Sequence, residues 1–387
     1  MNAGAPLRIV HLITRLERGG SSDCTLLQAI AAARRGHRVT VAAGPSPIES
    51  SLVSRARATA GLELVIIPEL ARPIRPWNDL RALRAIVRLL RERACDILHT
   101  HTSKAGALGR LATLFRRPAA VLHQPHGHLF YGYYGALGSR CIVLAERALA
   151  RLADAQIALT RRGAEEHLRR GIGRPEAFHV VRSGVDLRPW RRRPARDRNA
   201  CRAALGVGAD RFVVGTLCRL ERIKGAGDLL EAFVHLAPRR PGVDLVIAGD
   251  GPLRHRLRER TAEAGLSPRV RIDGHWRSPR RVLPALDLFV LASRNEGMGR
   301  ALVEAMASGL AIVATDVGGV GEVLEEGRCG ILVPPGDPEA LAAAIDQVAG
   351  DPALRAALGA AARTRAVAFG AGRMGRQVIR LYREVLP

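Results

Sequence analysis

The chain has 387 residues, 47% of them hydrophobic, and a formal net charge of +24. That length exceeds what one hydrophobic core fills, so two domains are expected, with enough apolar residues for both. The charge does not point to nucleic acid. Of the 60 basic residues 58 are arginine, and with the alanine-rich runs this reads as GC-rich codon usage spread along the chain, without a patch of interleaved aromatics.

The first series of elements begins with strand 7–13, the loop TRLERGGSS and a helix over 25–35 closed by Gly36. Strands follow over 38–41, 64–67, 97–100, 119–123, 156–159 and 178–181, with helical patterns between them. The helix 78–93 sets Arg81, Arg84, Arg88 and Arg91 on one face and Leu83, Ile86, Val87 and Leu90 on another. It reads as a solvated helix, or as a basic face for anionic lipid headgroups. Residues 188–206, RPWRRRPARDRNACRAALG, read as an Arg/Pro-rich linker running into a short helix. A second series has strands at 212–217, 245–248, 270–272, 288–291, 312–314 and 331–333, and a last helix covers 372–385. Alternating strands and helices of this kind predict an α/β protein with two Rossmann-like, doubly wound parallel sheets and a cleft between them. The expected domains are 1–188 and 189–371, with the terminal helix 372–387 packing back on the first.

The six cysteines (Cys24, Cys95, Cys141, Cys201, Cys218 and Cys329) form no C-x-x-C pair and read as reduced thiols of a cytoplasmic protein. MNAGAP leads straight into LRIVHLI and no run of 18 apolar residues occurs, so neither a signal peptide nor a membrane-spanning helix is expected.

Several strand-to-helix loops carry chemistry. Gly19 and Gly20 in GGSS precede the first helix and would let a phosphate or sugar approach its N-terminus. HTHTSKAG offers His101 and Lys104 at one strand end, and PHGH offers His126 and His128 at the next. In the second half, RLERIKG supplies Arg219 and Lys224 five residues apart. Only two lysines occur in the chain, Lys104 and Lys224, and a compact ammonium in this loop suits a phosphate. AGDGP, with Gly249 and Gly251, permits a tight turn, and GHW offers His275 and Trp276 to a base. The stretch ASRNEGMGRALVEAMASG places Glu296 in a loop and Glu304 two helical turns on, about 10 Å apart. Two acids that hydrolyse a glycosidic bond sit about 5–9.5 Å apart. The spacing instead suits two grips on an elongated ligand, with a helix N-terminus between them for an anion. The chain has no D-x-D pair and no Cys/His group at zinc spacing, so no metal or other cofactor is expected.

In order along the chain, GG, PHGH, RLERIKG, EGMGRALVEAMASG and GGVGEVLEEGRCGILVPPGD resemble glycosyltransferase family 4 over residues 7–385. HTHTSKAGALGRLA with PHGH is similar to the bacterial enzymes that build cell-surface polysaccharides. The resemblance implies a GT-B fold and a retaining enzyme that moves a sugar from a nucleotide-diphosphate sugar, with uracil as the expected base. It implies that Arg219 and Lys224 clamp the diphosphate, Glu304 holds the ribose, and Glu296 meets the donor sugar near the reacting carbon. Backbone N–H groups of Gly297, Met298, Gly299 and Arg300 would face sugar and phosphate. His126 would touch the sugar on the acceptor side, and Gly19 and Gly20 would open the acceptor loop. The acceptor would be a glycan or a polyprenyl-linked glycan, reached from the inner face of the cell membrane.

The chain departs from the family at Ser21, Ser22 and Asp23, where many relatives have Ala followed by Glu or Gln, and at Gly299, where proline is frequent. Tyr131, Tyr133 and Tyr134 beside the PHGH loop suit stacking on a sugar, contact with lipid, or packing. Two alternatives stand beside the transferase: a sugar-nucleotide epimerase of the same shape, and a basic nucleic-acid- or surface-binding protein without transferase activity.

Overall fold

Parallel strands covered on both faces need near-continuous apolar runs, and these segments have them. The computed structural model describes residues 5–17, 19–46, 50–127, 135–190, 195–274 and 278–387. Two units result, Met1–Gly184 with Ala371–Pro387, and Val185–Gly370.

The first unit holds β1 (Arg8–Arg15), β2 (Arg38–Gly44), β3 (Leu62–Ile66), β4 (Ile97–His101), β5 (Ala120–Gln124), β6 (Ala155–Ala158) and β7 (Phe178–Val180). They form one parallel sheet in the order β3-β2-β1-β4-β5-β6-β7. The register sets His11 of β1 beside His99 of β4. On one face lie the helices Gly20–Ala33 and Ala371–Glu384, which bury Leu26, Ile30, Val378 and Tyr382. On the other lie Pro76–Glu92 and Ser103–Ala112, which bury Ile86, Leu90 and Leu108.

The second unit holds β8 (Phe212–Leu217), β9 (Val243–Ala248), β10 (Val270–Asp273), β11 (Leu288–Leu291), β12 (Ala311–Thr315) and β13 (Ile331–Val333), in the order β10-β9-β8-β11-β12-β13. Every residue of β9, β11 and β12 is buried. Leu229, Phe233, Leu245, Val290, Val313 and Ile345 belong to one core around the sheet. Two of its helices, Pro338–Gly350 and Pro352–Ala366, start where short polar side chains satisfy free N–H groups. Asp337 accepts from Ala340 N at 2.9 Å and Asp351 from Leu354 N at 2.9 Å, each followed by a proline at the first helical position. In both sheets the chain reverses its direction of build, between β1 and β4 and between β8 and β11. A doubly wound sheet binds its ligands at the carboxyl ends of the strands flanking such a point.

Two local expectations change. The first helix starts at Gly20, not Thr25. The Gly-Ser run has weak helix propensity, but Ser22 Oγ donates to Arg15 O at 3.1 Å, which ties the first turn to the end of β1, and Thr25 Oγ1 donates to Ser21 O at 2.9 Å within that turn. The expected linker is also partly fixed structure. In the helix Ala195–Ala204, Arg202 is buried and pairs with Asp287 at 2.6 Å, and Arg198 holds the other oxygen at 2.7 Å. One carboxylate next to β11 thus anchors two arginines of a stretch that reads as solvated.

Candidate active site

In the second unit, β8 ends at Leu217 and a 3-10 turn, Arg222–Lys224, brings the lysine back over the strand end. Gly225 follows with φ 66°, and a Cβ there would strike the carbonyl oxygen of Ala292, just past β11. Only glycine allows these two loops to touch. Their contact sets Lys224 Nζ 2.6 Å from Glu296 Oε2, and Ser293 Oγ donates to the same oxygen at 3.3 Å. Arg294 on this loop also grips Asp228, at 2.7 Å. From the far side, Gly318 has φ 51°, and a Cβ there would strike Glu296 O, which accepts from Gly319 N at 3.3 Å. The carboxylate is therefore held by Lys224 and Ser293 and the backbone of Glu296 by Gly319, and the pair with Lys224 is less than one-fifth exposed. Removing one partner of so enclosed a pair leaves an uncompensated charge.

Gly299, at φ 78°, turns this loop into the helix Arg300–Ala307. Glu304 lies on its second turn, buried, and pairs with Arg300 Nε at 3.0 Å. Met298 is buried and Gly297 partly exposed. Arg219 is apart from this arrangement: its half-exposed guanidinium pairs with Glu221 of its own turn at 2.8 Å. Gly249 and Gly251 sit where a Cβ would meet the backbone of Cys218 and Leu220, so the end of β9 lies against the same loop. His275 and Trp276 lie outside the described residues.

In the first unit the strand ends carry histidines. His11 Nδ1 lies 2.9 Å from His101 Nε2, and His101 Nδ1 lies 2.9 Å from His126 Nε2. The hydroxyl of Tyr382 lies 2.8 Å from His99 Nδ1 and 3.3 Å from His11 Nε2. His11, His99 and His101 have no exposed surface. Burial therefore pushes the His11 imidazole down to about 3 and lowers His99 and His101 well below the usual range. His126 is partly exposed at the head of the row and holds φ 63°, and Thr102, after β4, holds φ 61°. Left-handed backbone at non-glycine residues is strained, and strain of this kind gathers at functional sites.

The nitrogens of His11, His99 and His101 lie within 4.8 Å of one another, near enough to consider a metal. Two imidazoles on a tetrahedral zinc hold their nitrogens about 2.0–2.1 Å from the ion, hence about 3.3 Å apart. At 2.9 Å the His11 and His101 nitrogens suit a shared hydrogen instead.

The remaining expected site residues are dispersed. Lys104 pairs with Asp79 at 2.6 Å and donates to Pro73 O, so it ties two helices together. Gly19 precedes the first helix in extended conformation with open space at its missing Cβ, and Gly20 is the first helical residue. His128 lies outside the described residues, as do Tyr131, Tyr133 and Tyr134. Sequence reading passed over His11, His99 and Tyr382. The alternation in RIVHLIT and ILHTH, with histidine where an apolar residue belongs, was the available signal for the first two. Tyr382 is 283 positions from its partner His99 and left none.

Residues 18–188 match the model described as Glycosyltransferase Family 4, and residues 197–365 match Glycosyl transferases group 1. The alpha-maltose-1-phosphate synthase of Mycolicibacterium smegmatis is 31% identical over 76% of this chain and 80% of its own length. The chain belongs to glycosyltransferase family 4. Another relative is the UDP-Gal:alpha-D-GlcNAc-diphosphoundecaprenol alpha-1,3-galactosyltransferase of Escherichia coli, 28% identical over 74% of this chain and 75% of that protein. Among solved structures, Anabaena Alr3699/HepE in complex with UDP-glucose superposes with a TM-score of 0.82 at 24% identity, covering 97% of this chain and 99% of that one. That likeness shows the fold, GT-B. The protein is thus a glycosyltransferase, and both switch points belong to the two Rossmann-like units of that fold. No helix among the described residues is long and apolar enough to cross a membrane.

Proposed function

We propose that this glycosyltransferase moves a hexosyl or N-acetylhexosaminyl group from a UDP-sugar to a hydroxyl of a glycan or polyprenyl-linked glycan, with retention of configuration, in cell-surface polysaccharide synthesis. The observation that carries the reading is the Lys224–Glu296 pair at the β8/β11 switch point, beside the helix that bears Glu304. Breaking the anomeric C–O bond leaves a cationic sugar and an anionic diphosphate. Lys224 and the N-terminus of Arg300–Ala307 stabilise the anion, which does the work a metal does elsewhere. Arg219 joins them by leaving Glu221 when the diphosphate arrives. Glu304 accepts from the ribose hydroxyls, and Glu296 orients the sugar and holds Lys224 until the donor takes it. The leaving phosphate oxygen takes the proton of the acceptor hydroxyl, which then attacks from the leaving-group side, and His126 orients the sugar at that step.

HepE was solved with UDP-glucose, and the E. coli relative's name gives a UDP-linked donor and a diphosphoundecaprenol acceptor, which supports the choice of base and acceptor class. A lipid-linked acceptor requires a membrane surface. Ile74, Trp77 and Leu80 are exposed beside Arg72, Arg75, Arg81 and Arg84, at the start of the helix Pro76–Glu92. An aromatic ring among arginines fits an anionic headgroup layer.

Calorimetry with UDP, GDP and ADP, followed by product analysis with a UDP-sugar and a polyprenyl-diphosphate glycan, tests this. Binding of UDP and transfer to the lipid-linked glycan with the anomeric configuration kept are expected. Epimerised donor in the absence of any acceptor would defeat the reading. Co-sedimentation with phosphatidylglycerol vesicles at low salt, lost in Trp77→Ser, is expected for the membrane contact.

A further inference from the structure

The row of histidines in the first unit is longer than any contact with a substrate requires. From its partly exposed head it runs through His126 Nε2, His101 Nδ1 and Nε2, His11 Nδ1 and Nε2, and the Tyr382 hydroxyl to His99 Nδ1. The successive links measure 2.9, 2.9, 3.3 and 2.8 Å. His99 lies over His101 at a tilt of 33°, with ring centres 4.1 Å apart, so the row folds back on itself. Its far end stops at His99 Nε2, which is buried without a partner among the described residues.

A neutral imidazole has one N–H and one lone pair. Burial keeps these rings neutral. Each link needs one hydrogen, and with the Tyr382 hydroxyl hydrogen used inside the row only two arrangements satisfy every link; if Tyr382 instead accepts from both His99 and His11, its own hydrogen has no acceptor among the described residues. In one, His99 carries its hydrogen on Nε2, where nothing accepts it, and His126 presents a bare Nδ1. In the other, His99 donates from Nδ1 to the Tyr382 oxygen, Tyr382 donates to His11, His11 to His101, and His101 to His126 Nε2. His126 then presents Nδ1–H. A buried N–H without an acceptor is the rarer defect in folded proteins, which favours the second arrangement.

We infer that Tyr382, His99, His11 and His101 are positioning residues that hold His126 in its Nδ1–H tautomer, so that it meets the substrate as a hydrogen-bond donor. The functional part of this inference rests on the proposed contact of His126 with the sugar. The tautomer itself does not. As a donor, His126 orients a sugar or acceptor hydroxyl through its oxygen and leaves that hydroxyl's proton available to the departing phosphate. A bare Nδ1 would compete for that proton. Tyr382 reaches the row from the last helix, Ala371–Glu384, which explains why a polar hydroxyl is retained in a fully buried position.

The test is two-dimensional 15N–1H spectroscopy of protein labelled at histidine, which reads which ring nitrogen carries hydrogen, together with transfer kinetics. In the wild type His126 is expected to be protonated at Nδ1. Tyr382→Phe removes one oxygen that lies one link from His99 and three from His126. It should turn the single tautomer into a mixture and lower kcat by about tenfold, the worth of one hydrogen bond, while KM for the donor stays within twofold. His99→Asn keeps an N–H at the Nδ1 position and should retain the wild-type tautomer, whereas His99→Leu should lose it. An unchanged His126 tautomer in both Tyr382→Phe and His99→Leu, or an Nε2–H signal in the wild type, would overturn the inference. So would one equivalent of tightly bound metal on His11, His99 and His101 in the purified protein. If His126→Ala left transfer intact while the tautomer still followed Tyr382, the contact with substrate would fail and the coupling would stand.

Discussion

The two switch points share one topology and are filled in opposite ways. Between β8 and β11 the chain places opposite charges, Lys224 against Glu296, with Glu304 and Arg300 one helix away. Between β1 and β4 it places neutral rings, His11, His99 and His101, sealed from water and hydrogen-bonded to one another. A charged site is suited to a ligand that brings its own charge. A neutral, dry row sets direction and tautomer, and adds nothing to the electrostatic hold on a diphosphate. The fold supplies the location, and the loops supply the division of labour.

The largest effect should come from breaking the charged point. Lys224→Ala removes the cation that meets the leaving diphosphate and strands Glu296, so kcat for transfer should fall about 100- to 1000-fold. A fall of less than tenfold in a steady-state assay would mean that Arg219 or the helix N-terminus carries the anion alone. Glu304→Ala should weaken UDP binding by about ten- to a hundredfold, as expected for hydrogen bonds to a charged group, with calorimetry as the measure.

The neutral point should instead respond to acid. In the unfolded chain its histidines take up protons as pH falls through about 6.5. Folded, His11 resists until about 3, and His99 and His101 are held well below the usual range. The folded state therefore binds fewer protons in that window. Stability from these groups is complete above about pH 6.5 and is lost as pH falls, by about 1.4 kcal/mol per pH unit for each histidine. Among the described residues the second unit buries no histidine, and His235 and His255 are exposed. Hydrogen exchange between pH 7.5 and 5.5 should show protection falling in β1 and β4 well before β8 and β11. Equal loss in both sheets would contradict the contrast.

The smallest effects separate two kinds of glycine. Gly318→Ala drives a Cβ into Glu296 O at a left-handed backbone position, and should cost about 1–3 kcal/mol in urea unfolding. Gly19→Ala has open space around it in extended backbone, and should change stability by less than about 0.5 kcal/mol.

Much of this was legible in the sequence. Strand-helix alternation predicts both sheets, and β8, β11 and β13 have the expected bounds because apolar runs end sharply at loops. The loops bearing Lys224, Glu296 and Glu304 were also legible, since glycine spacing marks them. Pairing was not. Nothing local says that Lys224 meets Glu296 while Arg219 turns to Glu221, because the choice depends on Gly225 letting two loops touch. The arginines of 188–206 look solvated until Asp287 appears opposite them. Metal spacing rules search along the chain, and so miss histidines joined only by strand register, such as His11 and His99.

The central claim is that the charged point holds the donor and the neutral row governs turnover. The most direct measurement is UDP affinity and kcat on the same preparations of Glu304→Ala and His126→Ala. The account predicts UDP binding weakened at least tenfold in Glu304→Ala. It predicts UDP binding within twofold of wild type in His126→Ala, with kcat reduced at least tenfold. Full UDP affinity in Glu304→Ala, or lost UDP affinity with normal turnover in His126→Ala, would contradict it.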